Sequence, residues 1–537
     1  MPIRGRVLAI LLEFALVSCG FALLPAPVAG EGAFWGGLER GPYGVGFRAV
    51  EEYDYSRSFA AKRDYFGAPI EGERARPIQI CLWYPARPSG EEPSMVYGEY
   101  AIVYPEDDRF FSFLSGLQDR EVGTLYRVFN GDQSAIMELM SAEAGAVRNA
   151  PAAGGIFPLI IYIPSFNHGI AENAVLCEFL ASYGFAVVMT HAYGPAAYAS
   201  EPFPSHLEIL IGDVQYALGA AHEFSVVDGD NLGVMGYGAG ATAALLLQMR
   251  NLYVDAVLAL EPGFINAEYM SLATGNPYYD EIRMNVPLIQ MCGPLGGDRD
   301  LSIFHSLIYS TRYSLEFPEL EVLGLSTYGL MRADLLGGDE SVTEAVHADY
   351  EIMCDYALNF FDAHLKGSDD ALEFLDGEPV AAGPDKEPLR ITRSEGEDVP
   401  PTPEQFIGIL AERGIETAID IYRRFRAKDP DIILFNELRM NYAGYGLLQR
   451  GLLADAIEAF KMNAETFPQS SNCWDSLAEA YVANGDSVQA TACYRKVLEV
   501  LPNDPRADER VREILRGNAE RYLEASGTGS PAEQAEP

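Results

Sequence analysis

Hydrophobic positions along this chain change period several times, and each change predicts an element. An apolar run, "VLAILLEFALV" (7–17), comes first, behind Arg4 and Arg6. Beyond it, "RPIQICLWYPA" (76–86) alternates apolar and polar residues in its middle, as a half-buried strand does. "PLIIYIP" (158–164) and "FAVVMTH" (185–191) are short apolar runs that read as strands, and "AENAVLCEFLASYG" between them has helical spacing. A helix over about 207–224 follows. Then come a strand at 231–236, a small-residue helix at 239–250 and a strand at "VDAVLALE" (254–261). "NVPLIQMCG" (285–293) and "LEVLGLS" (320–326) predict two further strands, and a long helix runs over about 347–365. Strands alternating with helices predict an α/β fold with a mostly parallel sheet. Residues 100–150 break the rhythm and are expected to form a lid-like insertion of helix and loop.

The α/β rhythm ends near residue 380. "AAGPDKEP" and "EGEDVPPTP" concentrate Pro, Gly and acidic residues, which marks 381–402 as a linker after a first domain at 31–380. From 403 to 520 the pattern is helical and repetitive. Pro468 and Pro502 lie 34 residues apart, as do Gly451 and Gly485, Ala456 and Ala490, and Phe460 and Tyr494. That is the period of the tetratricopeptide repeat, two antiparallel helices per unit. Units 437–470 and 471–504 are clear. The second carries Trp474, Leu477, Ala478, Tyr481, Gly485, Ala490, Tyr494 and Pro502 in signature positions, and "IETAIDIYRRF" (415–425) looks like a degenerate cap. An all-α repeat domain of this kind is expected to take a protein or peptide partner. The polar tail, 521–537, is expected to be disordered.

Composition narrows the function. A chain of 537 residues exceeds one ordinary domain. Its formal net charge of −40 repels phosphate backbones, so no nucleic-acid partner is expected. The first 30 residues read as an export signal. "LVSC" (16–19) fits a lipidation box that leaves Cys19 acylated as the one membrane anchor, whereas "PVAG" (27–30) fits small-residue cleavage. The mature protein is therefore expected in the cell envelope or periplasm, lipid-anchored at Cys19, or secreted. The seven cysteines show no C-x-x-C spacing, so neither metal nor cofactor is expected. Cys81, Cys177, Cys292 and Cys354 read as small buried hydrophobes.

The candidate chemistry lies at "GYGAG" (236–240), between the strand "NLGVM" and the helix "ATAALLLQM". Strand, sharp turn, helix is the setting of the Gly-x-Ser-x-Gly nucleophile elbow, in which the triad follows in the order nucleophile, acid, histidine. Here Gly238 stands at the nucleophile position. Glu261 follows it by 23 residues at a strand end, and His347 comes before the last long helix. In that arrangement His347 would be general base and then acid, and Glu261 would hold its tautomer. The N–H groups of Ala239 and Phe166 would form the oxyanion hole. Asp298 and Asp300 are alternative acids. Tyr237, Ser165, Cys177 and Cys292 are the nearest substitutes for the nucleophile, and His168 and His191 sit at strand ends near the site.

Residues 41–367 resemble bacterial α/β-hydrolases similar to platelet-activating-factor acetylhydrolase and dienelactone hydrolase. The likeness is carried by "GPYGVGFRAVEEYDYSR", "RPIQICLWYPA", "PLIIYIPSFNHGIAENAVLCEFLASYGFAVV", "LGVMGYGAG", "DAVLALEPG" and "VHADY". It implies an α/β-hydrolase fold, carboxylic-ester chemistry and an ester- or lipid-like small-molecule ligand. The family's serine is Gly238 here, its aspartate is Glu261, and its histidine is matched by His347. A tetratricopeptide tail is a common addition in related proteins.

Glycine adopts the strained backbone of an elbow without penalty, so Gly238 keeps the turn while removing the atom that would form an acyl-enzyme. Three functions follow. The chain is an impaired hydrolase that binds a ligand, an ester hydrolase working through water or another nucleophile, or an envelope scaffold served by its repeats.

Overall fold

The computed structural model describes residues 32–527, apart from 60–65, 70–72, 89, 91, 104–110, 167, 192–202, 321–322, 337 and 381–387. The segment expected to be an export signal, with Cys19, and the last ten residues of the tail lie outside the described residues. The chain divides into two compact units, Met1–Glu397 and Asp398–Pro537.

The first unit is built on a mixed sheet. Its strands are β1 (Gly44–Ser58), β2 (Ala75–Ala86), β3 (Ala146–Arg148), β4 (Phe157–Ile163), β5 (Ala186–Thr190), β6 (Val227–Tyr237), β7 (Ala256–Leu260), β8 (Leu288–Cys292), β9 (Arg312–Glu316) and β10 (Arg390–Ser394). They lie in the order β10-β9-β8-β7-β6-β4-β5-β2-β1-β3. The run from β5 through β4 to β9 is parallel, and the pairs β1–β2, β2–β5 and β9–β10 are antiparallel.

Both faces of the parallel core are covered, which is why its strands read as near-continuous apolar runs. Side chains alternate between two cores. Tyr162, Met235 and Leu258 enter one, and Ile161, Val234 and Val257 enter the other. Five helices bear on the site: α1 (Phe111–Val128), α2 (Ala174–Ser182), α3 (Ala239–Arg250), α4 (Thr327–Leu335) and α5 (Glu340–Leu365). Residues of α2 and α5 fill the first core, and those of α3 the second. Connections from β4 lead to β5 on one side, while β6 and its successors lie on the other. The strand order therefore reverses at β4, and in open α/β sheets the carboxyl ends of the strands beside such a reversal are where ligands bind.

Several sequence expectations differ from the structure. Residues 323–326 of "LEVLGLS" form a turn, with Leu323 at φ +67°, and the strand is the preceding "RYSLE" (312–316). Its arginine disguised it: Arg312 is buried, and its guanidinium donates to the carbonyls of Phe304 and Ser310. The segment 76–86 is buried along its whole length because its alternate side chains enter both cores, Cys81 and Trp83 the first and Ile80, Leu82 and Tyr84 the second. Residues 390–394, expected in the linker, form edge strand β10. The last long helix begins at Glu340, capped by Asp339, rather than near 347. Residues 100–150 are largely helical, with buried Tyr100, Leu125 and Phe129 joining the first core.

Described residues of the second unit are helical throughout its length. The helices Glu437–Gln449 and Ser471–Ala483 begin 34 residues apart, as do Leu453–Thr466 and Ser487–Val500. The turns within both pairs use a glycine of positive φ, Gly451 at +78° and Gly485 at +79°.

Candidate active site at the ends of β4 and β6

The turn after β6 has the backbone of an elbow. Gly238 sits at φ +57°, ψ −117°, where α3 begins. Its N–H donates to Leu260 O at 2.9 Å, and its carbonyl accepts from Gly263 N–H at 2.8 Å. The flanking glycines allow close approach. A Cβ on Gly236 would fall 2.4 Å from the Gly240 carbonyl, and one on Gly240 would fall 2.0 Å from Ile163 O in β4. At Gly238 itself, a Cβ would meet only Ser165, with Oγ at 2.8 Å and Cβ at 3.4 Å. Ala239, the first residue of α3, has an N–H with no intrahelical acceptor.

Among the described residues no hydrogen bond or ion pair joins Glu261 to His347. Glu261, at the end of β7 with φ +42°, accepts from Gly293 N–H and pairs with the Arg299 guanidinium at 3.0 Å. His347 lies on α5, and its Nε2 pairs with Asp334 Oδ1 of α4 at 2.8 Å. Its Nδ1 side faces the N-terminal segment, where a Cβ on Gly36 would come within 2.6 Å. Because α5 starts at Glu340, His347 lies inside the helix, where the Asp334 carboxylate takes its imidazole.

The remaining candidates are placed as follows. The Phe166 ring packs on His206 at 5.7 Å between centroids. Asp300, two residues before the helix Ser302–Ser306, accepts from Ser302 N–H, and Asp298 accepts from Ala267 N–H through its carbonyl. Cys177 and Cys292 are buried. Burial pushes the Cys292 thiol up to about 12 and Cys177 well above the usual range, which leaves neither as a thiolate. Tyr237 is buried, and its phenol is held protonated in the same way.

Searches against protein-family models and curated proteins find no match. A ferulic acid esterase from Streptomyces cinnamoneus has a similar solved structure, 18% identical, with a TM-score of 0.47, over 69% of this chain and 100% of that one. Such a likeness says nothing about substrate.

Beside the elbow stands a polar cluster whose acids were missed in the sequence. Glu172, wholly buried on the 3-10 helix Ile170–Asn173, accepts from the Tyr162 hydroxyl at 2.6 Å and from Ser165 N–H at 3.0 Å. Its other oxygen contacts His168 Nδ1. Burial lowers the His168 pKa, but the charge and hydrogen bond of Glu172 outweigh it, and the net shift is upward. Glu121 of α1 is buried and accepts from the Tyr328 hydroxyl of α4. Burial pushes its carboxyl up to about 7, against the opposing pull of that hydroxyl. His191, at the end of β5, bonds Gln79 through Nε2 at 3.0 Å, and burial drops it to about 4, so it is neutral at physiological pH. Gly169 is the hub: a Cβ there would lie 2.9 Å from Glu121 Oε2 and 3.1 Å from His191 Nδ1. The sequence carried no signal for this cluster, because Ser165 and His168 lie in a loop and Glu172 on a short 3-10 helix.

Proposed function

We propose that the first unit is an α/β-hydrolase-fold protein that binds an ester- or lipid-like small molecule at the ends of β4 and β6 without forming an acyl-enzyme. The strand order, with its reversal at β4 and a sharp strand-turn-helix after β6, supports the fold. One observation carries the rest. Gly238 keeps the elbow backbone and supplies no hydroxyl, while Glu261 and His347 are each committed to other partners. A fluorophosphonate probe tests this reading. Wild-type protein is expected to stay unlabelled, and stoichiometric phosphonylation would overturn it.

The second unit is read as tetratricopeptide-type repeats serving a protein or peptide partner. The Tyr445 hydroxyl donates to Glu479 at 2.8 Å across a separation of 34 residues, the register in which successive repeats stack. Full-length protein used as bait, against a chain in which Asp398–Pro537 is deleted, tests it: equal retention of partners by both would sink the idea. Export rests on the N-terminal sequence. Incorporation of a lipid label that vanishes in Cys19→Ser would favour the anchored form, and label-free release of the protein the secreted one.

A further inference from the structure

We propose that His168 and Glu172 form a general-base dyad that activates water against an ester carbonyl held at the Gly238 turn. This is a catalytic site separate from Glu261 and His347, and it rests on the reading of the β4 and β6 ends as an ester-binding site.

The dyad is built rather than incidental. Two neutral donors, the Tyr162 hydroxyl and Ser165 N–H, hold one oxygen of Glu172 and leave the other for His168 Nδ1. A carboxylate at Nδ1 sets the neutral imidazole with its proton on that nitrogen and its lone pair on Nε2. Nε2 makes no hydrogen bond among the described residues. The His168 side chain is 21% exposed, against 1% for Glu172, so the base reaches solvent while its orienting acid does not. That is the division of labour in a histidine-carboxylate pair.

The dyad is also tied to the elbow. His168 N–H donates to Ser165 O at 3.1 Å, and Ser165 Oγ lies 2.8 Å from where a side chain at 238 would begin. The loop that holds the base therefore borders the space a nucleophile at 238 would enter. Across that loop, Glu121 Oε2 is buried against Gly169, 2.9 Å from where a Cβ there would stand. When ionised, Glu121 adds to the proton affinity of His168. Of the charged groups acting on the imidazole, Glu172 and Glu121 raise its proton affinity, and Arg127 lowers it.

The step balances with water as the second reactant. His168 Nε2 takes a proton as the water oxygen bonds to the carbonyl carbon, and the carbonyl π pair moves to oxygen, facing Ala239 N–H. Collapse re-forms the carbonyl and breaks the bond to the alcohol oxygen, which takes the proton from Nε2. A carboxylic acid and an alcohol leave, and His168 returns to its neutral form.

The test is 4-nitrophenyl acetate hydrolysis by the full chain. Saturable hydrolysis is expected, with no burst of nitrophenol and with loss of rate at acid pH as His168 takes up a proton. His168→Gln is expected to lower kcat by about 100-fold or more, the usual contribution of a general base. His347→Gln is expected to keep the wild-type rate. Added imidazole is expected to raise the His168→Ala rate, with saturation, beyond the sum of the variant's rate and that of imidazole without protein, which a purely structural role would not produce. A wild type no faster than free imidazole would overturn the proposal. So would His168→Gln within threefold of wild type in a protein that still melts cooperatively, or a stoichiometric burst. Fluorophosphonate labelling reports on the acyl-enzyme question separately, so loss of hydrolytic activity alone leaves the ligand-binding reading standing.

Discussion

A Cβ placed on Gly238 would stand 2.8 Å from Ser165 Oγ, so the hydroxyl at the elbow belongs to the loop after β4 and not to the turn itself. Two costs follow for Gly238→Ser. The backbone at φ +57° disfavours a side chain by about 1–3 kcal/mol. The Ser165 hydroxyl must also rotate away. Urea denaturation of the single and double variants separates the two. Gly238→Ser is expected to cost about 0.5–1 kcal/mol less in a Ser165→Ala background than in wild type. Strict additivity would mean that the two residues do not touch.

Gly240 is constrained by backbone, not by a movable side chain. Its Cβ would lie 2.0 Å from Ile163 O, so α3 would have to withdraw from β4. Gly240→Ala is expected to cost about 4 kcal/mol or more, at the extreme of single-residue effects. Gly219, in the helix Phe203–Ala221, has nothing within 4 Å of its Cβ position. Gly219→Ala is expected to gain about 0.5–1 kcal/mol by helix propensity. Thermal melts of the two variants should move in opposite directions.

Much of the fold was legible because buried parallel strands and amphipathic helices advertise their period. The segments 158–164, 185–191 and 254–261 each match a strand to within a few residues, and 239–250 matches α3. What escaped was set by tertiary contacts. Arg312 looks exposed in sequence yet is buried through bonds to two carbonyls. The site was legible at Gly238, where glycines at fixed spacing announce a turn. It was not legible at Glu172, whose partners are a strand tyrosine, a loop amide and a histidine that only folding assembles. Glu261 and His347 had the right order along the chain, but order does not encode distance, and Arg299 and Asp334 captured them.

The His347–Asp334 pair gives the protein a pH-dependent tie between α4 and α5. The Asp334 hydrogen bond raises the His347 pKa, against partial burial. A histidine raised in the folded state contributes stability that is fully present below its unfolded value, about 6.5, and is lost as pH climbs through the higher folded value. Asp334→Asn is therefore expected to lower the melting temperature more at pH 5.5 than at pH 8.5. Equal losses at both would mean that the contact carries no proton linkage.

Glu121 has the same sign of dependence in a lower pH window, but here ionisation destabilises because the carboxylate is buried. Burial holds its carboxyl at about 7 in the folded protein, whereas in the unfolded chain a glutamate ionises near 4.3. Between those values the unfolded chain binds fewer protons, so this group removes stability as pH rises from about 4.3 to about 7 and then removes no more. Glu121→Gln keeps an oxygen to accept from the Tyr328 hydroxyl and carries no charge to desolvate. The variant is expected to match wild type near pH 4 and to be the more stable protein at pH 8, by on the order of 3 kcal/mol. Urea midpoints across that range measure the difference directly. A gap that stays constant with pH would mean that Glu121 keeps an ordinary carboxylate pKa in the folded state, and that the buried oxygen beside Gly169 is ionised throughout.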